Sequence, residues 1–267
     1  MGSIMITPEV SVVIPSYNGS KTIERALKSI AFQSYSNYEI VIVDDGSSDD
    51  TKKKVRDFKK KYAAIEVKYI EQSNQGPSSS RNKGVQCARG AFIAFLDVDD
   101  EWHKDKLEVQ IKIMKDRYLN FLGSDYQYID FNNENTSKVD IRRYSFDSLL
   151  FKNRFSTSGV VISKDLFLDL KGFDESFKYA EDYDLWLRVA LNLNLEIIKY
   201  PKLIKRHRSI EGLSSNIYSM LKGELVAIKK LLISGNIGHI KYVFITFFIF
   251  LKFLKRYLMN INKQGVY

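Results

Sequence analysis

Apolar residues in the first hundred positions alternate between two rhythms. Short runs rich in Val and Ile, Val10-Ser11-Val12-Val13-Ile14, Glu39 to Val43, Glu66 to Ile70 and Ala91 to Leu96, read as buried strands. Between them, apolar positions recur every three or four residues. Ile23, Ala26, Leu27, Ile30 and Ala31 make one helical stripe, Val55, Phe58 and Tyr62 a second, and Ser78 to Arg89 reads as a third helix. Pro15 is expected to end the first strand, and Ser48 to cap the second helix with Asp49 and Asp50 in its first turn. The order β-α-β-α-β-α-β, with right-handed crossovers, predicts an α/β class: a Rossmann-like, mostly parallel sheet flanked by helices.

The second half is less regular. Leu107, Ile111 and Met114 predict a helix, Tyr126 to Phe131 a strand, Asn132 to Lys138 a mobile polar loop, and Gly159 to Ile162 a strand. Asp182 to Leu193 reads as a helix with Leu185, Trp186, Val189 and Leu193 inward. No stretch of Gly, Pro or Ser is long enough to serve as a flexible linker. One domain, residues 1–215, is expected, followed by a helical C-terminal tail, 216–267.

Charge sharpens this division. The 267 residues carry a formal charge of +9, yet Lys199 to Tyr267 holds 13 Lys/Arg against Glu211 and Glu224, so the remaining 198 residues sum to −2. Val243 to Leu251 is almost wholly apolar, with Lys241 before it and Lys252, Lys255 and Arg256 after it. A bilayer span needs about 20 apolar residues, and this run is shorter. Residues 240–258 are therefore expected to lie at a membrane surface, the alternative being a helix packed on the domain or on a second subunit. No basic-aromatic array of a nucleic-acid reader is present, so no nucleic-acid partner is expected. The single cysteine, Cys87, excludes an internal disulfide and points to a reducing, cytoplasmic setting in which it packs in a helix. No signal peptide is visible, and Met5 reads as an initiator.

Ligands of a parallel α/β sheet bind beyond the carboxyl ends of its strands. Four loops are expected there: Pro15-Ser16-Tyr17-Asn18-Gly19, Asp44-Asp45-Gly46-Ser47, Asn74-Gln75-Gly76-Pro77 and Asp97-Val98-Asp99-Asp100. Three carboxylates within four residues repel one another, and an all-oxygen set suits Mg2+ or Mn2+. The alternative is a solvated acidic turn before the helix near Lys104. Asp44 and Asp45 could accept hydrogen bonds from a base or ribose, or simply shape a turn. Arg81 could pair with a diphosphate or with the acidic loops, and its burial against carboxylates distinguishes that from a solvated surface arginine. Glu181 and Asp182 start a helix, where a carboxylate can cap or act as a general base.

Six stretches, in order, resemble the family 2 glycosyltransferases of the inverting GT-A fold that build bacterial polysaccharides. They are Val10 to Asn18, Val43 to Asp49, Asn74 to Asn82, Leu96 to Asp100, Gly172 to Glu175 and Ala180 to Arg188. The likeness covers about residues 8–215. It implies a metal-dependent transfer from a nucleotide sugar, UDP being the commonest, to a hydroxyl of a glycan or lipid-linked acceptor in surface polysaccharide synthesis, at the inner face of the cytoplasmic membrane. Mn2+ or Mg2+ is the implied cofactor. Pro15 and Tyr17 would line the nucleobase pocket, with Asp44 on the base and Asp45 beside it. Arg81 would lie near the base or diphosphate, and Asp97 and Asp99 on the nucleotide side. Asp99, Asp100 and His207 would serve the metal; Asp97 and Asp99 also fit a spaced-aspartate pattern. Asp182 matches the catalytic base, with Glu181 its neighbour, and Ser156, Thr157 and Ser158 would border the acceptor. Two departures stand out: the basic run Lys205-Arg206-His207-Arg208, and Lys104 where relatives carry proline. A nucleotidyltransferase acting on a sugar phosphate is the alternative.

Overall fold

The computed structural model describes residues 7–128, 138–207 and 216–264, with side chains to residue 259. The elements run β1 Val10–Ser16, α1 Ile23–Ala31, β2 Tyr38–Asp44, α2 Thr51–Lys61, β3 Val67–Glu71, α3 Pro77–Cys87, β4 Phe92–Phe95, β5 Glu101–Trp102, α4 Lys106–Asp116, β6 Phe121–Ser124, β7 Tyr126–Gln127 and β8 Asp140–Tyr144. Then come α5 Phe146–Leu149, a 3-10 turn Thr157–Gly159, β9 Val161–Ser163, α6 Lys164–Asp169, α7 Glu181–Ala190, β10 Leu195–Tyr200, β11 Ile204–Lys205, α8 Ile217–Ile233 and α9 His239–Gln264.

Among the described residues the main sheet has the order β3-β2-β1-β4-β9-β6-β10-β8. β1 pairs in parallel with β2 from Val10 opposite Tyr38 to Ser16 opposite Asp44, and with β4 on its other side. β9 is the antiparallel insert, paired with both β4 and β6, so the sheet is mixed but mostly parallel, as the α/β reading requires. β1 shows why the sequence folds this way. Val10, Val12, Val13 and Ile14 are buried because helices cover both faces of the central strands. One helix approaches so closely that a Cβ on Gly84 of α3 would stand 2.4 Å from Val13 Cγ1. At the amino end of the strands, the buried Glu39 carboxylate accepts from Ser11 Oγ at 2.7 Å and Arg89 N at 2.6 Å, with Lys68 Nζ at 3.2 Å. Burial pushes Glu39 up, but the Arg89 N–H, the Ser11 hydroxyl and the Lys68 ammonium outweigh it and hold the carboxyl below its usual range.

Several expectations are corrected. β1 runs through Pro15 to Ser16. Residues of the parity of Val13 bond towards β4, and β4 stops opposite Val13, so the missing N–H of Pro15 breaks no ladder bond. Ser48 does not cap α2. The helix begins at Thr51, whose N–H reaches the Asp49 carboxylate at 3.0 Å. Leu193 lies beyond the end of α7. The expected strand at 126–131 is seen only as β7; residues 129–131, and all of the expected loop but Lys138, lie outside the described residues. β6 and β10, which pair with each other in parallel, had no counterpart in the sequence reading.

The chain divides into two compact units. The first comprises Met1–Arg143, Phe155–Phe173 and Leu195–His207; the second comprises Tyr144–Arg154, Asp174–Asn194 and Arg208–Tyr267. The expected boundary at 215/216 borders residues 208–215, which lie outside the described residues. Within the second unit, Tyr183 of α7 donates its hydroxyl to the carbonyls of Leu149 and Leu150, both at 2.9 Å. The tail is helical as expected. α8 buries Ala227, Ile228 and Leu231, and α9 buries Ile245 and Ile249.

Candidate functional site

Three of the loops expected beyond the strand ends are tied together by their own backbone and short side chains. Asp45 N donates to Ser16 O at 2.8 Å, and Asn18 N to Ser47 Oγ at 2.8 Å, joining the β1 and β2 loops. Asp45 then uses its carboxylate inside the protein. It accepts from Gln75 N at 2.9 Å, Gly76 N at 2.7 Å and Gln72 Nε2 at 2.8 Å, which fixes the loop before α3. Gly76 has φ of 90°, a conformation that side-chain-bearing residues rarely adopt, and Pro77 starts the helix directly after it. Asp44 is buried and accepts hydrogen bonds from Ser47 N at 2.8 Å and from the Tyr69 hydroxyl. Tyr17, by contrast, is 55% exposed. An aromatic ring offered to solvent beside ordered polar loops can stack on a flat ligand.

Arg81 answers the question set by the sequence. The residue is 5% exposed, and its guanidinium lies 2.7 Å from Asp97 Oδ1 and rests 5.3 Å from the Phe173 ring centroid. Phe173 is held by Asn82, which donates to the Phe173 carbonyl at 2.8 Å and accepts its N–H at 2.9 Å. The Gly172-Phe173 stretch is therefore a wall for the arginine.

The acidic loop concentrates unfavourable charge. Burial, with Asp97 adding to it, pushes the Asp99 carboxyl up. The same two causes carry Asp100 up to about 7 against the opposing pull of Ser158 and Arg206. Ser158 is fully buried; its Oγ accepts the Asp97 N–H at 3.1 Å and donates to Asp100 Oδ2 at 2.6 Å. Trp102 Nε1 in turn holds the Ser158 carbonyl at 2.8 Å. Of the three residues expected on the acceptor side, Thr157 and Ser158 are buried and Ser156 is half-buried. His207 Nε2 meets Glu101 Oε1 at 2.5 Å, and Arg25 Nε lies 3.3 Å from the same oxygen. Arg206, which the sequence reading gave no role, faces the acidic loop: its Nε is 3.9 Å from Asp100 Oδ2 and its guanidinium 5.0 Å from the Tyr126 ring. The only sequence signal for it was the unusual basic run around His207.

Among the described residues, no three His, Cys, Asp or Glu side chains converge on one point as a metal cage. That is compatible with Mg2+ or Mn2+, which are commonly held by one or two carboxylates plus substrate phosphates and water. The donor chemistry fits: Asp97, Asp99 and Asp100 supply hard oxygens, and the carboxyls of Asp99 and Asp100 are forced upward by burial and by the Asp97 charge.

In the second unit, Asp182 sits in the first turn of α7. It accepts from its successor Tyr183 N at 2.7 Å and from Asn153 Nδ2 at 3.1 Å. Asp184 is a different kind of acid: it is buried and neutralised by Arg188 at 2.8 Å and Lys230 at 3.0 Å. Glu181 is half-buried.

Comparison with known proteins gives the family and the fold. The sequence model of the family described as "Glycosyl transferase family 2" matches residues 11–172. The UDP-Glc:alpha-D-GlcNAc-diphosphoundecaprenol beta-1,3-glucosyltransferase WfgD of Escherichia coli is 33% identical over 215 residues, covering 80% of this chain and 82% of that protein. Two further relatives, uncharacterized glycosyltransferases of Rickettsia, are longer, and the match spans 30% of their length. Among solved structures, S. aureus TarS in complex with UDP-GlcNAc aligns with a TM-score of 0.70 at 21% identity, over 84% of this chain and 66% of that one. The mannosyltransferase PcManGT of Pyrobaculum calidifontis, in complex with GDP-Man and Mn2+, aligns with a TM-score of 0.69 at 20% identity, over 85% and 65%. At these identities the two structures establish a shared fold.

Proposed function

Because the chain belongs to glycosyl transferase family 2, we propose that it moves a sugar from a UDP-sugar to a hydroxyl of a lipid-linked glycan during bacterial surface polysaccharide synthesis, at the inner face of the cytoplasmic membrane. The observation that carries the donor half is the buried Arg81–Asp97 pair beside two carboxyls pushed upward in the same loop. The E. coli relative is named for UDP-Glc and a diphosphoundecaprenol acceptor, which favours uridine and a lipid diphosphate carrier here.

Tyr17 and Pro15 offer the base an apolar wall, and Asp44 an acceptor for its N–H. Asp45 acts one step back, keeping Gly76 and the start of α3 in place. Arg81 and Arg206 supply positive charge for the pyrophosphate and limit the repulsion within the acidic loop. Asp99 and Asp100 hold Mn2+ or Mg2+, with Asp97 turned to Arg81 and His207 to Glu101. When bound, the cation neutralises negative charge on the departing nucleoside diphosphate. Asp182 takes the proton from the acceptor hydroxyl as its oxygen bonds to the anomeric carbon and the bond to the diphosphate breaks, inverting that carbon. Asn153 and the Tyr183 N–H keep the Asp182 carboxylate oriented. Ser156 borders the acceptor, while Ser158 braces Asp100.

The test is a panel of sugar nucleotides with Mn2+ or Mg2+, read by release of free nucleotide. Nucleoside diphosphate released with inverted product supports transfer. Pyrophosphate made from a sugar phosphate and a nucleoside triphosphate would instead identify a nucleotidyltransferase.

A further inference from the structure

The second unit ends in a helical pair whose inner side is packed and whose outer side is not. On α9, Ile245 and Ile249 are buried. Ile240, Phe244, Phe247, Leu251, Leu254 and Leu258 recur every three or four residues, and all are exposed, Ile240 at 90% and Phe247 at 60%. Val243 and Phe250 widen the stripe on one flank and Phe248 on the other. At about 100° per residue this covers close to half the helix circumference, broader than the narrow seam of a two-helix coiled coil. It is also rich in phenylalanine, where such a seam selects aliphatic residues. Contiguous apolar surface of this kind marks a contact with a partner or a membrane.

Charge chooses between those occupants. From Asn216 to Tyr267 there are eight Lys/Arg and one acid, Glu224, a net +7. Part of this is internally balanced: Lys252 pairs with Glu224, Lys241 with Asp147, and Lys230 with Asp174 and Asp184. Lys222, Lys229, Lys255 and Arg256 make no ion pair among the described residues, and all four are exposed. A second copy would bring these unbalanced positive charges against their like. An anionic lipid surface complements both the charge and the apolar stripe. No described helix is long and apolar enough to cross a bilayer, so the helix lies in the plane of the interface.

We infer that the outward face of α9 is a lipid-inserting surface selective for anionic headgroups, with Phe247 and Leu251 at the centre of the inserted stripe and Lys255 at its flank supplying a headgroup contact. The inference stands on the helix and its charge, and holds whichever sugar and acceptor the enzyme uses.

The experiment is flotation of the full chain with vesicles of phosphatidylcholine alone and of an equimolar mixture with phosphatidylglycerol. Wild type floats with the mixed vesicles and much less with phosphatidylcholine. Phe247→Gln/Leu251→Gln removes flotation while circular dichroism and acceptor-free hydrolysis of the sugar nucleotide stay at wild-type level. Lys255→Gln weakens partitioning by about fivefold, the effect of one basic residue at an anionic surface. Equal flotation with both vesicles, flotation that survives the apolar substitutions, or a stable dimer that those substitutions dissociate would each overturn the inference. The hydrolysis readout keeps this separate from the proposed transfer: hydrolysis without flotation removes the membrane face alone, and flotation without hydrolysis removes the transferase reading alone.

Discussion

The Arg81 guanidinium and the Asp97 carboxylate form an ion pair 2.7 Å long in which the arginine is almost wholly enclosed. An enclosed cation without its partner is costly, so the pair behaves as one unit. Arg81→Ala leaves Asp97 facing Asp99 and Asp100 without its ion-pair partner, Arg206 remaining as the more distant positive charge, and opens a cavity against Phe173. Asp97 keeps some contact with water, which moderates the cost to about 2 kcal/mol. Thermal denaturation reads this as a lower Tm, and sugar-nucleotide titration as weaker donor binding. A variant with wild-type Tm and donor affinity would show the pair to be incidental.

Ser158→Ala tests the brace on the acidic loop. The substitution removes the only hydroxyl seen to bridge the Asp97 N–H and the Asp100 carboxylate among the described residues. Loss of such a support behind a metal ligand typically costs about 10–100-fold in metal affinity. Titration of Mn2+ in the presence of UDP, followed by electron paramagnetic resonance, should show a drop of that order with the fold retained. Unchanged Mn2+ affinity would assign Ser158 to packing.

Asp182→Asn keeps the shape of the side chain and its neighbours Asn153 and Tyr183 but removes the proton acceptor. Donor binding should be unchanged, and transfer to the acceptor should fall by about 10²–10⁴-fold. Transfer at near wild-type rate would exclude Asp182 as the base.

Glu39 gives the protein a defined acid limb. Its folded carboxyl is held below the usual range, so the stability it contributes is fully present above the unfolded value of about 4.3 and is lost as pH falls through the lower folded value. Urea midpoints measured between about pH 3 and 6 should decline towards the acid end in wild type. Glu39→Gln should be less stable near neutrality and show a flatter decline. Parallel curves for the two proteins would mean that other carboxylates set the acid limb.

Local pattern determined much of this protein. The β-branched runs and the three-to-four spacing of Ile23, Ala26, Leu27 and Ile30 identify the alternating half, because burial on both faces of a parallel sheet leaves a one-dimensional trace. The acidic run at Asp97 to Asp100 and the basic bias of the tail are likewise legible, since charge is carried by composition and order. Tertiary structure decided the rest. It turned Arg81 inward onto Asp97, where helical periodicity alone left it either solvated or paired. It buried Ser158 behind Asp100 and brought Arg206 to face that carboxylate, across more than a hundred residues of chain. It sent His207 to Glu101. β6 and β10 escaped because Phe121–Ser124 is short and contains Gly123, and Leu195–Tyr200 follows a helix with no Gly or Pro to separate them. Each of these outcomes depends on which segments pair at a distance, and the free energy of a side chain's partner is set by that pairing rather than by its neighbours in sequence.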